Sequence, residues 1–325
     1  MDLSIVTTMY YSAPYLKEFY DRISNVARKL TNNYEIIFVN DGSPDKSLEI
    51  AVNFSQLDSK VKVIDLSRNF GHHKAIMTGL SYTEGDLTFL IDCDLEEEPE
   101  LLEAFFSRLK TEPDCDVIYG VQEKRKGSLF ERITGNIFYT VMNKLSSLEM
   151  PKNLVTARLM SKRYVESLLL FKEQEIFLAG LWQITGYKQL PFTIRKHSKG
   201  TSTYNLNRKI SIVVNSITSF SSKPLIYIFN TGLLICIISI LYALTLVYSK
   251  IFLSKPIEGW TSIVVSIWFL GGLTIFFIGV IGIYLSKIFT ETKNRPYTIV
   301  RSVYRRMDSI NGQVQEYAEY SRKIL

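Results

Sequence analysis

The chain has 325 residues, enough for one large domain with an appendage or for two domains. Apolar residues make up 46% and the net charge is +6, but the basic excess gathers beside two long apolar stretches, so anionic lipid headgroups rather than nucleic acid are the expected partner. Three cysteines, Cys93, Cys115 and Cys236, lack metal-ligand spacing and form an odd set, which argues for reduced thiols.

In chain order, Leu3–Thr8 reads as a strand and Ala13–Leu30 as an amphipathic helix. Tyr34–Asn40 is a second strand, stopped by the turn Asp41-Gly42-Ser43-Pro44, which also caps a helix over about Lys46–Gln56. A third strand (Val61–Leu66), a helix near Lys74–Tyr82 and a fourth strand (Leu87–Ile91) follow, then a helix at Glu100–Leu109 and a strand at Val117–Gly120. This alternation predicts an α/β fold, doubly wound on a mainly parallel sheet.

Asn205–Phe220 repeats Leu206, Ile210, Val213, Val214, Ile217 and Phe220 at helical spacing, the pattern of a helix lying in a membrane interface. Leu225–Tyr248 and Thr261–Leu285 are uncharged runs of roughly 24 residues, long enough to cross a bilayer core and joined closely enough to form a hairpin. Arg195, Lys196, Lys199, Arg208, Lys209 and Lys223 precede the pair; Lys287, Lys293, Arg295, Arg301, Arg305 and Arg306 follow it. The connecting loop has only Lys250 and Lys255, so both outer flanks are expected on the cytoplasmic side of the inner or plasma membrane. Met1-Asp2-Leu3-Ser4 opens no signal peptide, which keeps the large domain cytoplasmic. The expected division is a catalytic domain over 1–204, an interfacial helix over 205–223, two spans within 224–288 and a cytoplasmic tail over 289–325. Gly271, Gly272, Gly279 and Gly282 offer a close-packing surface for a homo-oligomer.

The chemistry collects after successive strands, where α/β sheets bind ligands. Asp92 and Asp94, one residue apart after Phe89-Leu90-Ile91, suit Mg²⁺ or Mn²⁺ holding a diphosphate; a solvated acidic loop has the same composition, and Glu96, Glu97 and Glu98 read as solvated charge. Asp41 can accept the N–H of a nucleobase or cap a helix. Arg68 and Lys74, in Ser67-Arg68-Asn69-Phe70-Gly71-His72-His73-Lys74-Ala75, bring cations to a helix N-terminus, a natural diphosphate environment. His72 and His73 read as a loop pair.

The segments VNDGS, SRNFGHHKA and IDCDLEEEPE resemble the motifs of family 2 glycosyltransferases of the GT-A fold. The closer resemblance is to polyprenyl-phosphate glycosyltransferases of the GtrB, dolichol-phosphate-mannose synthase and ArnC types, extending through Ser219–Leu225, Gly282–Leu285 and Glu291–Tyr297. It implies Asp41 at the nucleobase, Asp92 near the ribose or diphosphate, Asp94 on the metal, and Arg68 and Lys74 around the diphosphate. It also implies that the basic loop 195–204 closes on donor and acceptor phosphates through Arg195, Lys196, His197, Lys199, Ser202 and Tyr204. Arg195 and Lys199 would then share the catalytic work with Asp94.

The chain departs from the family pattern in four places. Thr8-Met9-Tyr10-Tyr11-Ser12 lacks the Pro, Asn and Glu of P-x-Y-N-E; Glu96 and Glu98 replace Gln and Pro; His197 falls where an arginine is usual; and Thr156 stands where the family carries an aspartate often proposed as base. The expected function is inverting transfer of one sugar from a nucleotide sugar, a UDP-hexose, to polyprenyl (undecaprenyl) phosphate. The alternatives are a family 2 enzyme with another acceptor and a non-catalytic membrane scaffold. A processive synthase is disfavoured, since Trp182-Gln183 has no Arg-Trp after it.

Overall fold

A computed structural model describes residues 1–122, 151, 153–195, 218, 221–253 and 259–306. The chain divides into two compact units, one formed by residues 1–139, 149–203 and 295–325, the other by 140–148 and 204–294.

The first unit is built on one mixed sheet. Its described elements are β1 (Leu3–Met9), α1 (Leu16–Leu30), β2 (Tyr34–Asn40), α2 (Ser47–Leu57), β3 (Val61–Leu66), α3 (His72–Ser81), β4 (Leu87–Leu90), α4 (Leu101–Lys110), β5 (Val117–Gln122), β6 (Leu154–Ser161), α5 (Lys162–Leu168), α6 (Leu178–Ile184), β7 (Gln189–Ile194) and β8 (Val300–Arg305). The spatial order is β7-β5-β6-β4-β1-β2-β3-β8. Strands β3, β2, β1 and β4 run parallel, as the alternation predicts. Every residue of β2 and β3 is buried, which is why they read as unbroken apolar runs: helices cover both faces. Helix α1 turns Leu16, Phe19, Ile23, Val26 and Ala27 inward at helical spacing. A Cβ on Gly79 of α3 would lie 2.6 Å from Val6 and 2.8 Å from Val39, so only glycine lets α3 press this closely on β1 and β2.

Three features escape a strand-helix reading. β6 enters between β4 and β5 antiparallel to both. β7 joins β5 in parallel at the far edge. Most consequential, residues 300–305, expected as part of a tail, form β8, antiparallel to β3 at the opposite edge. Six residues of Val-Arg-Ser-Val-Tyr-Arg alternate too weakly to announce a strand, and their partner lies more than 230 positions away.

The amino ends of the strands carry a buried ionic cluster. Lys62 of β3 lies 3.0 Å from Glu35 of β2, and Glu35 also accepts the Ser4 hydroxyl and the Glu84 amide. Pairing and multiple hydrogen bonds offset the desolvation of these charges. Stability groups thus sit at one end of the sheet and candidate chemistry at the other.

The second unit contains α7 (Lys223–Leu253) and α8 (Trp260–Thr292). Both are long and apolar enough to cross a membrane, and neither of their most apolar stretches is buried. Phe229, Ile240, Trp268 and Ile275 are all more than half exposed, the outward apolar surface expected of helices that face lipid or a partner. They overrun the expected spans of 225–248 and 261–285. Within this unit the Tyr284 hydroxyl donates to the Ser221 carbonyl. Of the expected interfacial helix over 205–223, only Thr218, Ser221, Ser222 and Lys223 are among the described residues, Lys223 as the first residue of α7, and the apolar stripe lies outside them.

Candidate active site

The carboxyl ends of β1, β2, β3 and β4 bring the sequence motifs to one edge. Asp41, just past β2, is 3% exposed; its two oxygens accept the amides of Phe70, at 2.7 Å, and Gly71, at 3.0 Å. Burial pushes its pKa up, while those two amides pull it back. The expected helix-cap role falls instead to Asp45, which accepts the Ser47 amide at the start of α2. Asp41 therefore orders the loop 68–71 that carries Arg68. Gly42, at φ +61°, completes the joint: a Cβ there would lie 2.5 Å from the Asn69 amide nitrogen and 2.6 Å from the Arg68 carbonyl carbon. Arg68 is exposed, with its guanidinium 4.2 Å from the Phe70 ring centre, and Lys74 is half-buried in the first turn of α3.

Asp45 also accepts the hydroxyls of Ser43 and Ser47 and the amide of Ala13, tying the 41–45 turn to the loop after β1. Partial burial raises its pKa, but these donors outweigh it and hold the group down at about 2. A carboxyl depressed in the fold stabilises above its unfolded pKa and loses that contribution as pH falls through the folded one. Asp45→Asn should therefore lower the thermal midpoint at pH 5 and above, with the gap to the parent closing as pH falls from about 4 to about 2. A gap that stays constant over this range would refute the assignment.

The D-x-D pair follows β4. Cys93 between the acids turns inward and donates its thiol to the Thr8 carbonyl; burial pushes its pKa up to about 12, leaving an unreactive thiol. Asp92 and Asp94 remain partly open. Asp94 accepts the Glu96 amide across Leu95, whose φ of +62° marks a tight turn. His72, at the start of α3, reaches both neighbours. Its Nδ1 lies 3.0 Å from the Thr8 hydroxyl, and its Nε2 lies 3.5 Å from an Asp92 oxygen. His73 is different in kind: burial lowers its pKa, and its Nδ1 bonds the Ile176 carbonyl, a structural tether.

Glu97 corrects the expectation of solvated charge. It is fully buried, and its carboxylate accepts the amides of Thr156 and Ala157 at the start of β6. Beside it Arg158 is 1% exposed, stacked on Trp182 and donating to the carbonyls of Val155 and Thr156. Burial pushes the Arg158 pKa down to about 9, against the opposing pull of Tyr164 and Glu97. Leu90 pairs with Arg158, so Asp92, two residues on along β4, and Thr156, two residues back along β6, fall at the same end of the sheet. The substituted position thus lies at the same end of the sheet as the acidic pair, held there by Glu97. Only the place of Arg158 in the Thr156-Ala157-Arg158-Leu159-Met160 motif could have signalled this pair; the spacing between Glu97 and Thr156 carries no local period.

Arg195, exposed just after β7, is the one member of the basic loop among the described residues; Lys196, His197, Lys199, Ser202 and Tyr204 lie outside them. Among the described residues, no three His, Cys, Asp or Glu side chains converge as a metal cage. Two partly open carboxylates still fit Mg²⁺ or Mn²⁺, hard cations that take one or two protein carboxylates and complete their shell from substrate and water.

The sequence profile of glycosyl transferase family 2 matches residues 4–169, the stretch that contains all of these loops up to β6 and α5. The chain belongs to glycosyl transferase family 2. The parallel heart of the sheet, with its acidic pair at the carboxyl edge, is thus the GT-A scaffold of a glycosyltransferase. Relatives extend beyond the matched domain. The Bacillus subtilis glycosyltransferase YkcC is 34% identical over 93% of this chain and 94% of its own length. A Mycobacterium tuberculosis protein named for glycosyltransferases is 51% identical over 94% and 89%. The bactoprenol glucosyl transferase of Shigella phage SfX is 30% identical over 93% of this family 2 chain and 99% of its own.

Proposed function

We propose that this glycosyltransferase moves one sugar from a nucleotide sugar, a UDP-hexose, to polyprenyl phosphate such as undecaprenyl phosphate at the cytoplasmic membrane face, with inversion at the anomeric carbon. The observation that carries the reading is the pair of long, outward-apolar helices with basic flanks on a chain whose other unit carries the family 2 domain with Asp92 and Asp94 after β4. Full-length similarity to a bactoprenol glucosyl transferase supports the acceptor class.

In this reading residues 1–204 form the catalytic domain, 205–223 lie in the interface, 224–288 anchor the chain and 289–325 remain cytoplasmic. Asp41 shapes the nucleotide pocket by holding the loop 68–71; Arg68 and Lys74 face the diphosphate, with the positive end of α3 behind them. Asp94 and Asp92 would hold Mg²⁺ or Mn²⁺, which supplies Lewis-acid stabilisation of the departing diphosphate when bound. The loop Arg195–Tyr204 gathers the acceptor phosphate.

Thr156 in place of a carboxylate is compatible with this chemistry. A lipid phosphate has a second pKa near ~6, by analogy with phosphate monoesters, and is largely ionised at cytoplasmic pH. Its oxygen attacks the anomeric carbon as the bond to the nucleotide diphosphate breaks, so no proton need be removed from the nucleophile. Positioning and desolvation supply the rest.

Purified full-length protein with Mg²⁺ or Mn²⁺ should transfer labelled sugar from at least one nucleotide sugar to polyprenyl phosphate. No transfer from any UDP-, GDP- or dTDP-sugar would sink the proposal.

A further inference from the structure

Strand β8 and the two residues that lead into it, Thr298 and Ile299, touch the elements carrying the candidate site at three places. The Ser67 amide donates to the Ile299 carbonyl at 2.9 Å. The hydroxyls of Thr298 and Thr78 meet at 2.8 Å in a buried contact, and Thr78 also donates to the carbonyl of Lys74 in α3. Arg301 makes the third. Its Nη2 donates to the Ser67 carbonyl at 2.6 Å, and its Nη1 lies 3.4 Å from Asp65, a carboxylate only 1% exposed. Asp65 in turn accepts the Asn40 side-chain amide at 2.8 Å, and the Asn40 oxygen accepts the Ser43 amide. One guanidinium therefore reaches the Ser67–Gly71 loop directly and the Asn40–Ser43 turn through two side chains.

The backbone supports a special placement of this residue. Asp65 pairs with Ser302 and Leu66 with Val300, so Arg301 is the extra residue of a bulge between them. Bulges redirect a side chain that regular pairing would place elsewhere, and they concentrate beside functional sites. The fork of a guanidinium suits the task, because one group can donate to a carbonyl while neutralising a buried acid. In sequence Arg301 counts only as one of the basic residues after the second span; the fold gives it a second, internal task.

We infer that Arg301 is a positioning residue for the nucleotide-sugar site, and that β8 is a working part of that site rather than a tail. The inference rests on the reading of the 40–43 and 67–74 loops as the donor pocket; it does not depend on the acceptor. Without Arg301, Asp65 is a buried charge lacking its cation, and the Ser67 carbonyl loses a donor. Both loops then lose the brace that fixes their spacing across Gly42.

The test uses the full-length protein in detergent. Calorimetry with UDP, GDP and dTDP, each with Mn²⁺, identifies the nucleotide that binds the parent most tightly. Arg301→Ala should weaken that binding about tenfold or more, since displacing positioning groups by a fraction of an ångström is costly. Donor KM should rise in parallel, with kcat changed by less than about threefold. Arg301→Lys, which can face Asp65 but lacks the fork, should fall between the two and keeps the test usable if Arg301→Ala does not fold. Arg306→Ala removes a neighbouring contact to the Leu57 carbonyl and should leave nucleotide affinity at the parent value. Unchanged affinity in Arg301→Ala, or in Arg301→Lys where only that variant folds, would overturn the inference whatever happens to the thermal midpoint. So would an equal loss in Arg306→Ala. If the parent binds none of the three nucleotides, the donor-pocket reading itself falls, and the inference with it.

Discussion

Asp94→Asn is expected to abolish sugar transfer while leaving the fold intact. The substitution keeps an oxygen able to accept the Glu96 amide, so the tight turn at Leu95 retains its hydrogen bond. What it removes is the negative charge that the proposed metal site requires of Asp94. Metal stabilisation of a departing diphosphate is worth several kcal/mol, so the rate should fall by about 10²–10⁴-fold. Circular dichroism and the thermal midpoint should stay close to those of the parent, and raising Mn²⁺ should recover part of the loss if affinity is what suffered. Full activity at ordinary Mg²⁺ would remove Asp94 from the mechanism. Asp92→Asn should show a smaller defect, because Asp92 also faces His72 and is the secondary ligand in the proposed site.

Glu97→Ala should produce the largest loss of stability among the acidic residues after β4. The carboxylate is fully buried and serves two backbone amides at the start of β6. Its removal leaves both amides without that acceptor and takes away a negative charge that favours the charged form of Arg158, a group whose burial already depresses its pKa. Two buried amides left without an acceptor cost about 2–6 kcal/mol together. For a domain of this size that is a drop of roughly 10 °C in thermal midpoint. Glu97→Gln keeps one acceptor and the side-chain volume, so its cost should be about half. Glu98→Ala provides the contrast: Glu98 is exposed, and the change should stay within about 0.5 kcal/mol. Equal midpoints for the Glu97 and Glu98 variants would show that Glu97 does not carry β6.

Much of the parallel half of the fold was legible because its signals are local. Apolar runs such as Tyr34–Asn40 and Val61–Leu66 stop at glycine- or asparagine-bearing turns, and the observed strands begin and end at the expected residues. The motifs on the loops were legible for the same reason, since each follows its strand directly. The rest depends on contacts distant in sequence. Glu97 looks like one more acid in a run of three until β6 arrives 57 positions later to bring it two amides. Asp41 looks free for a ligand until the loop at Phe70 and Gly71 is seen to close on it. Arg301 reads as a membrane-flanking cation because nothing beside it in the chain discloses Asp65. Charged residues carry no period, so sequence pattern alone leaves their partners open.

The late position of β8 has a consequence for how the protein comes to be made. Ribosomes deliver β3 early and β8 only after both apolar helices have been synthesised. Until then the β3 side of the sheet is an open edge of unpaired amides and carbonyls, and buried Asp65 lacks the counter-ion that Arg301 later supplies. Open edges of this kind recruit strands from other chains. Biogenesis is therefore ordered: the outer edge of the sheet closes only once the apolar hairpin has emerged. A nascent chain stalled within that hairpin holds an incomplete sheet, so the 40–43 and 67–71 loops gain the Arg301 brace only after both apolar helices have been made.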